Sequence, residues 1–389
     1  MIPYGKQNIN KEDIQSVVEV MKSDFLTQGP ITPDFEKEII TYTGAKYSVA
    51  VINATSALHL GCLALGVGNG DIVWTSPISF VASANCAKYC GAEIDFVDID
   101  SKTYNLSVDS LEAKLISAKL KNKLPKVVIV VHLAGQSCDM ESIHKLSTRY
   151  GFSIIEDASH SIGGSYKSKK IGSCEYSDIC VFSFHPVKII TTCEGGVCTT
   201  NKKKLFSKIY NLRSHGIVRN QDEMVHKSHG PWYYEQLDLG FNYRLNDLQA
   251  ALGLSQIKRL DSFVKKRHQI AYEYDSLFTK LDFIQTPFQD KNCYSSYHLY
   301  IIRIKSNNKH NKKKIFEKLR SSGVFVNIHY IPIYLHPYYE KNYSKKDFPN
   351  SNKYYEEALS IPIYPGLSED SIQFVFNTIK NPINYQNLF

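Results

Sequence analysis

The sequence lacks any apolar run approaching the roughly 20 residues that span a bilayer as a helix, and its opening stretch MIPYGKQNINKED lacks the basic and apolar regions of a secretory signal. Both absences lead us to expect a cytoplasmic protein with no membrane partner. Cysteine is present but lacks pattern: nine residues stand at 62, 86, 90, 138, 174, 180, 193, 198 and 293, an odd number, with no Cys-x-x-Cys. This excludes neither core packing nor reactivity, but it argues against a disulfide framework and a zinc knuckle, so no metal is expected. Acidic charge is outweighed, 38 Asp and Glu against 46 Lys and Arg, giving a net charge of +8 that is concentrated in lysine runs at 201–208 and 305–314. Neither run has interleaved aromatics or an arginine fork for stacking and base readout, and no nucleic-acid partner is expected.

What is there is enough apolar material for more than one core: 389 residues, 43% of them hydrophobic. We expect two domains, a large one over 1–250 and a smaller one over 251–389. Between about 48 and 200, short β-rich runs alternate with helical stretches: YSVAVI, TSALHLGCLAL, DIVWTS, FVASANCAKYC, EIDFVDI, VDSLEAKLISAKL, PKVVIVV, MESIHKLSTRY, GFSIIED. That rhythm predicts an α/β fold with a mainly parallel sheet, and continuous runs such as KVVIVV suit strands buried on both faces. From 243, apolar residues at 245, 248, 252, 257 and 260 recur at helical spacing and predict a long, bent connector helix. Beyond it, strand SSYHLYIIRI, helix NKKKIFEKLRSSG, strand VFVNIHY, a helix around KYYEEAL and a last helix at SEDSIQFVFNTIK compose a smaller α+β unit.

The residues with chemistry to offer cluster at the ends of these runs. Lys188 stands among apolar and β-branched neighbours in FSFHPVKIITTCEGG, although lysine is strongly hydrated and rarely enclosed without a task. The strand GFSIIED ends in Glu156 and Asp157, at the carboxyl edge where open α/β sheets bind ligands. Alternation turns only one of the two toward a site, with His160 close behind; an isolated Glu-Asp pair equally serves as a strand-end cap. Thr55 and Ser56 open a helix whose unpaired N–H groups suit a phosphate, or plain capping. Ser183 adds a hydroxyl upstream of Lys188. Phe80 offers a ring either to a flat cofactor or to the core. An amine for a Schiff base, a carboxylate for a pyridine nitrogen, a helix start for phosphate and an aromatic face together suit pyridoxal 5'-phosphate.

The ordered blocks NATSALHL, TSPISFVASAN, EDASHSIGG, FSFHPVKIITTCEGG, RSHGI, GFNYRLNDLQAALGLSQ and VNIHYIPIY resemble the DegT/DnrJ/StrS family of sugar-nucleotide aminotransferases over essentially the whole chain. The resemblance implies fold type I, with a seven-stranded-type sheet, and transamination of a nucleotide sugar. Within the family, FLTQGPI, SPISFVASAN and HYIPIY are most similar to the pseudaminic acid branch, which aminates C4 of a UDP-linked 4-keto-6-deoxy-N-acetylhexosamine with glutamate. Position by position, Lys188 matches the Schiff-base lysine and Asp157 the aspartate on the pyridine nitrogen. Thr55, Ser56 and Ser183 match phosphate binders, Phe80 the stacking ring and His160 its neighbour. Asn242 matches a residue reaching the cofactor of a partner subunit, which implies a homodimer with shared sites. His329 matches a substrate-side residue from across the interface, and His185 one present in relatives that handle UDP-sugars. Two positions depart from the pattern, Cys193 where Gly or Ala is frequent and Ser159 where Ala is frequent; both are expected to leave the chemistry intact. Lys188 favours transamination over the dehydration performed by relatives with histidine there. The rival readings are amination of another keto nucleotide sugar and a non-catalytic sensor of the same ligands.

Overall fold

A computed structural model describes residues 1–305 and 311–381; the lysine run at 305–314 and the end of the expected second domain fall partly outside the described residues. Seven strands, β1 (Tyr47–Val51), β2 (Ile72–Thr75), β3 (Glu93–Phe96), β4 (Val127–Val131), β5 (Ser153–Asp157), β6 (Ile179–Ser183) and β7 (Gly196–Thr200), form one sheet in the order β1-β7-β6-β5-β4-β2-β3. Pairs β2–β3, β2–β4, β4–β5 and β5–β6 are parallel, as the helical crossovers between them require. Only β7 runs against its neighbours β1 and β6, because the loop 184–195 returns the chain directly as a hairpin. The helices are α1 (Lys11–Met21), α2 (Ile31–Thr43), α3 (Ala54–Ala64), α4 (Ala82–Tyr89), α5 (Val108–Leu120), α6 (Met140–Tyr150), α7 (Lys203–Leu212), α8 (Asp247–Ile257), α9 (Leu260–Phe278), α10 (Lys312–Ser321), α11 (Pro349–Glu357) and α12 (Glu369–Lys380).

Alternation along β4 shows why its apolar run is continuous. Val127 and Ile129 pack with α3 and α4 on one face, while Val128 and Val130 pack with α5 and α6 on the other. The α/β expectation therefore holds, and every strand's carboxyl end reaches one edge of the sheet, β7 apart. The second unit is a three-stranded antiparallel sheet of β8 (Ile284–Gln285), β9 (Tyr300–Ile304) and β10 (Ala358–Ile361), backed by α10 and α12.

Two expectations change here. The segment 324–330 alternates buried and exposed residues like a strand but pairs only at single bridges, Ile2 with Val324 and Asn327 with Ser360, so it is an extended strap. The helix expected around KYYEEAL stops at Glu357 and the chain continues as β10; Pro362 disfavours helix in the residue before it. The predicted long helix is bent as expected, breaking at Lys258 and Arg259 between α8 and α9. Residue 250 lies inside α8, whereas the change of core comes within α9: Leu260, Phe263 and Val264 pack with the large sheet, Ile270, Tyr274 and Phe278 with the small one.

Candidate active site

The hairpin loop between β6 and β7 is tied shut by its own backbone. Phe184 N–H donates to Gly195 O (2.9 Å), Thr192 N–H to Phe184 O (3.0 Å), and Lys188 N–H to His185 O (2.9 Å). Ile189 and Ile190 bury their side chains beneath it, which leaves Lys188 half-buried at the rim of a cavity of about 640 Å³. Gly196 is required where the loop rejoins the sheet: a Cβ there would lie 2.5 Å from the carbonyl carbon of Asn53. The start of α3 is thereby held against the lysine loop. Asn53 caps α3 through Ser56 N–H (2.8 Å), and the N–H groups of Ala54 and Thr55 have no partner among the described residues while both residues line the cavity.

Asp157 closes β5 and faces this cavity; Glu156 turns to the opposite face of the sheet, where His132 Nε2 donates to it at 2.7 Å. Both carboxylate oxygens of Asp157 accept bonds, Oδ1 from Ser159 Oγ and Oδ2 from Ser83 Oγ, each at 2.6 Å. Ser159, expected to be neutral for the chemistry, thus touches the carboxylate directly. His160 accepts from Ala134 N–H at Nδ1 (3.3 Å), so its Nε2 proton points to the Tyr330 hydroxyl at 3.0 Å. Phe80 is 58% exposed and lines the cavity, which rules out the core-aromatic alternative.

Burial sets the basicity of the titratable groups around the cavity. Burial pulls the Lys188 amine down to about 8, against the upward pull of Asp157. Burial, with the Lys188 amine and then the His329 ring nearby, pushes His160 well below its usual value, and burial beside Lys188 takes His329 down to about 3. His298, in ring contact with His160 at 4.4 Å between centroids, is likewise driven well down by burial and by His160 and Lys188. Three uncharged imidazoles therefore surround one amine at neutral pH.

Of the sequence-predicted residues, Thr55, Phe80, Asp157, His160, Ser183, His185, Lys188 and His329 line this one cavity. His329, expected from across an interface, lies in its own chain's cavity and bonds Ser360 Oγ at 2.8 Å through Nδ1. Ser56 is buried in α3 and Asn242 is exposed beyond the cavity, bridged to Ser214. Sequence reasoning missed Tyr330, Ser83 and His298. His298 had one visible signal, a polar residue interrupting an apolar strand, and its Nδ1 is buried without a hydrogen-bond partner.

These residues fit pyridoxal phosphate: open N–H groups at a helix start, a carboxylate at a strand end, an uncovered aromatic face and an amine of lowered basicity share one cavity. Sheet, lysine hairpin and small antiparallel unit together define a fold type I aminotransferase. The chain belongs to the DegT/DnrJ/EryC1/StrS aminotransferase family, which it matches over residues 7–380. It is 38% identical to the spore coat polysaccharide biosynthesis protein SpsC of Bacillus subtilis, over 98% of this chain and 96% of that one. It is also 38% identical to a UDP-4-amino-4,6-dideoxy-N-acetyl-beta-L-altrosamine transaminase of Campylobacter jejuni, covering 97% and 96% of the two chains. Among solved structures, Helicobacter pylori PseC, an aminotransferase involved in the biosynthesis of pseudoaminic acid, superposes with a TM-score of 0.87 at 32% identity, over 98% of both chains.

Proposed function

We propose that this aminotransferase uses pyridoxal phosphate to move an amino group from glutamate to C4 of a UDP-linked 4-keto-6-deoxy-N-acetylhexosamine, in pseudaminic-acid-type sugar biosynthesis. The observation that carries the reading is Lys188, an amine held at about 8 opposite Asp157 in a cavity that opens on the start of α3. When bound, pyridoxal phosphate supplies the carbonyl that carries the amino group and the ring that withdraws electrons from the carbon losing its proton. Lys188 Nζ, partly neutral near physiological pH, would take the proton from the donor's α-carbon in the first half-reaction and deliver a proton to C4 of the sugar in the second. Asp157, held in place by the Ser83 and Ser159 hydroxyls, would keep a proton on the ring nitrogen. The N–H groups of Ala54 and Thr55, with the hydroxyls of Thr55 and Ser183, would hold the phosphate; Ser56, buried in α3, would serve it only through its place in the helix start. Phe80 covers one ring face, His160 stands beside the ring, and His185 and His329 meet the nucleotide sugar. In a homodimer, Asn242 of the partner subunit completes the phosphate site. The division into a large and a small unit follows the same reading, with the change from one core to the other inside α9 and not at residue 250.

A second reading has support of its own. SpsC matches as well as the altrosamine transaminase does, so a different keto nucleotide sugar of polysaccharide biosynthesis fits the same residues. Incubation with candidate UDP-keto sugars and glutamate, with the product read by NMR, tests the choice. C4 amination to the β-L-altro product is expected; amination at C3, or of another hexose only, would overturn the assignment in favour of the second reading.

A further inference from the structure

Six of the nine thiols are buried, and three of the nine, Cys62, Cys86 and Cys90, gather where α3 packs on α4. Cys62 Sγ donates to Cys86 Sγ at 3.8 Å, and Cys86 Sγ donates to the Ser83 carbonyl at 3.4 Å. Cys90, at the end of α4, is half-buried and is therefore the member of the group that solvent reaches. His59, one turn before Cys62 on α3, is 5% exposed and its Nδ1 is buried with no hydrogen-bond partner, an arrangement that packing alone would avoid. The Cys62 thiol, followed by His59, pulls the Cys90 thiol down to about 6 in spite of its burial, so Cys90 is largely thiolate at neutral pH. The cluster is also wired to the site: Ser83, whose carbonyl receives the Cys86 thiol, donates its hydroxyl to Asp157 Oδ2 at 2.6 Å.

We propose that Cys90 and Cys62 form a peroxide-modifiable thiol pair, in which oxidation of Cys90 is resolved by Cys62 into a disulfide that clamps α3 to α4 and disturbs the support of Asp157. The Cys90 sulfur attacks one oxygen of hydrogen peroxide, the O–O bond breaks, and hydroxide leaves behind a sulfenic acid. Cys62 then attacks that sulfur; its proton and the departing hydroxyl leave as water. Both thiols are oxidised, the peroxide is reduced, and two waters result. The cavity chemistry proposed above is not needed for these steps, so the covalent outcome and the assignment of function fail separately.

The test treats the whole protein with hydrogen peroxide and maps peptides without reduction. A Cys62–Cys90 linked peptide, lighter by two hydrogens and released by dithiothreitol, is expected, and the Cys62→Ser variant is expected to leave Cys90 as a sulfenic acid trapped by dimedone. Cys90 recovered as a free thiol, or oxidised with no link to Cys62 and no dimedone adduct in the variant, would overturn the proposal. The coupling to Asp157 has its own readout. Oxidised wild type should lose added pyridoxal phosphate on dialysis several-fold faster than identically treated Cys62→Ser; equal loss would overturn that coupling.

Discussion

Lys188 sits where a small change of pH changes its charge. Burial lowers its amine from the usual 10.5 to about 8, so the protonated form is disfavoured and the neutral fraction grows as pH rises through that value. The rate at which cofactor-free protein takes up pyridoxal phosphate should climb about tenfold per pH unit below 8 and level off above it. Asp157 pulls the other way, and Asp157→Asn should move the midpoint downward; a climb continuing to pH 10 in the wild type would mean an ordinary exposed lysine. His298 is the second residue to test. Its place in the cavity, in ring contact with His160, suits a ligand bond, and His298→Phe should lower kcat/KM by roughly 10- to 100-fold, the weight of one buried hydrogen bond. An unchanged value would leave the ring as packing only. The sequence made Lys188 legible because a lysine among apolar neighbours is chemically odd, and it made Asp157 legible because a strand ended there. It could not make Ser159 legible. A serine two residues beyond a carboxylate is common, and only the turn after β5 brings its hydroxyl to 2.6 Å from Asp157.

The helices that frame the cavity are fixed by buried polar joints as well as by apolar faces. Asp13, fully buried in α1, accepts from Ser255 Oγ (2.6 Å) and Gln256 Nε2 (2.7 Å) of α8 and pairs with Arg259 at the α8–α9 break. Asp13→Ala would strand a partly exposed arginine and two buried donors, and should destabilise the fold by about 2–4 kcal/mol, read as a lower denaturant midpoint. A loss below about 0.5 kcal/mol would show that the joint is well hydrated. At this level the large sheet was legible, since runs such as VVIVV have the length and β-branching of strands buried on two faces. The strap at 324–330 was not, because alternation reports which side chains are buried and says nothing of whether a neighbouring strand exists to pair with. Nor was β10, whose apolar residues Ala358, Leu359 and Ile361 continue a helical pattern until the proline at 362.

The chain as one body holds all but two of its candidate site residues in a single cavity, and the two exceptions differ in kind. Ser56 is a local matter of helix burial. Asn242 is exposed and outside the cavity, where a second copy of the chain could use it. If sites are shared, mixing inactive Lys188→Ala with inactive Asn242→Ala should restore up to about a quarter of wild-type activity through hybrid dimers that contain one intact site in half of the molecules formed. No recovery from subunits shown by mass labelling to exchange would place Asn242 outside the chemistry. Such a partnership was legible only through resemblance, because no single-chain pattern reports what a second copy contributes. The most direct measurement is borohydride reduction of the protein with pyridoxal phosphate, followed by peptide mass mapping. The account predicts one stable cofactor adduct, on the side chain of Lys188; an adduct spread over surface lysines, or none at 188, would contradict it.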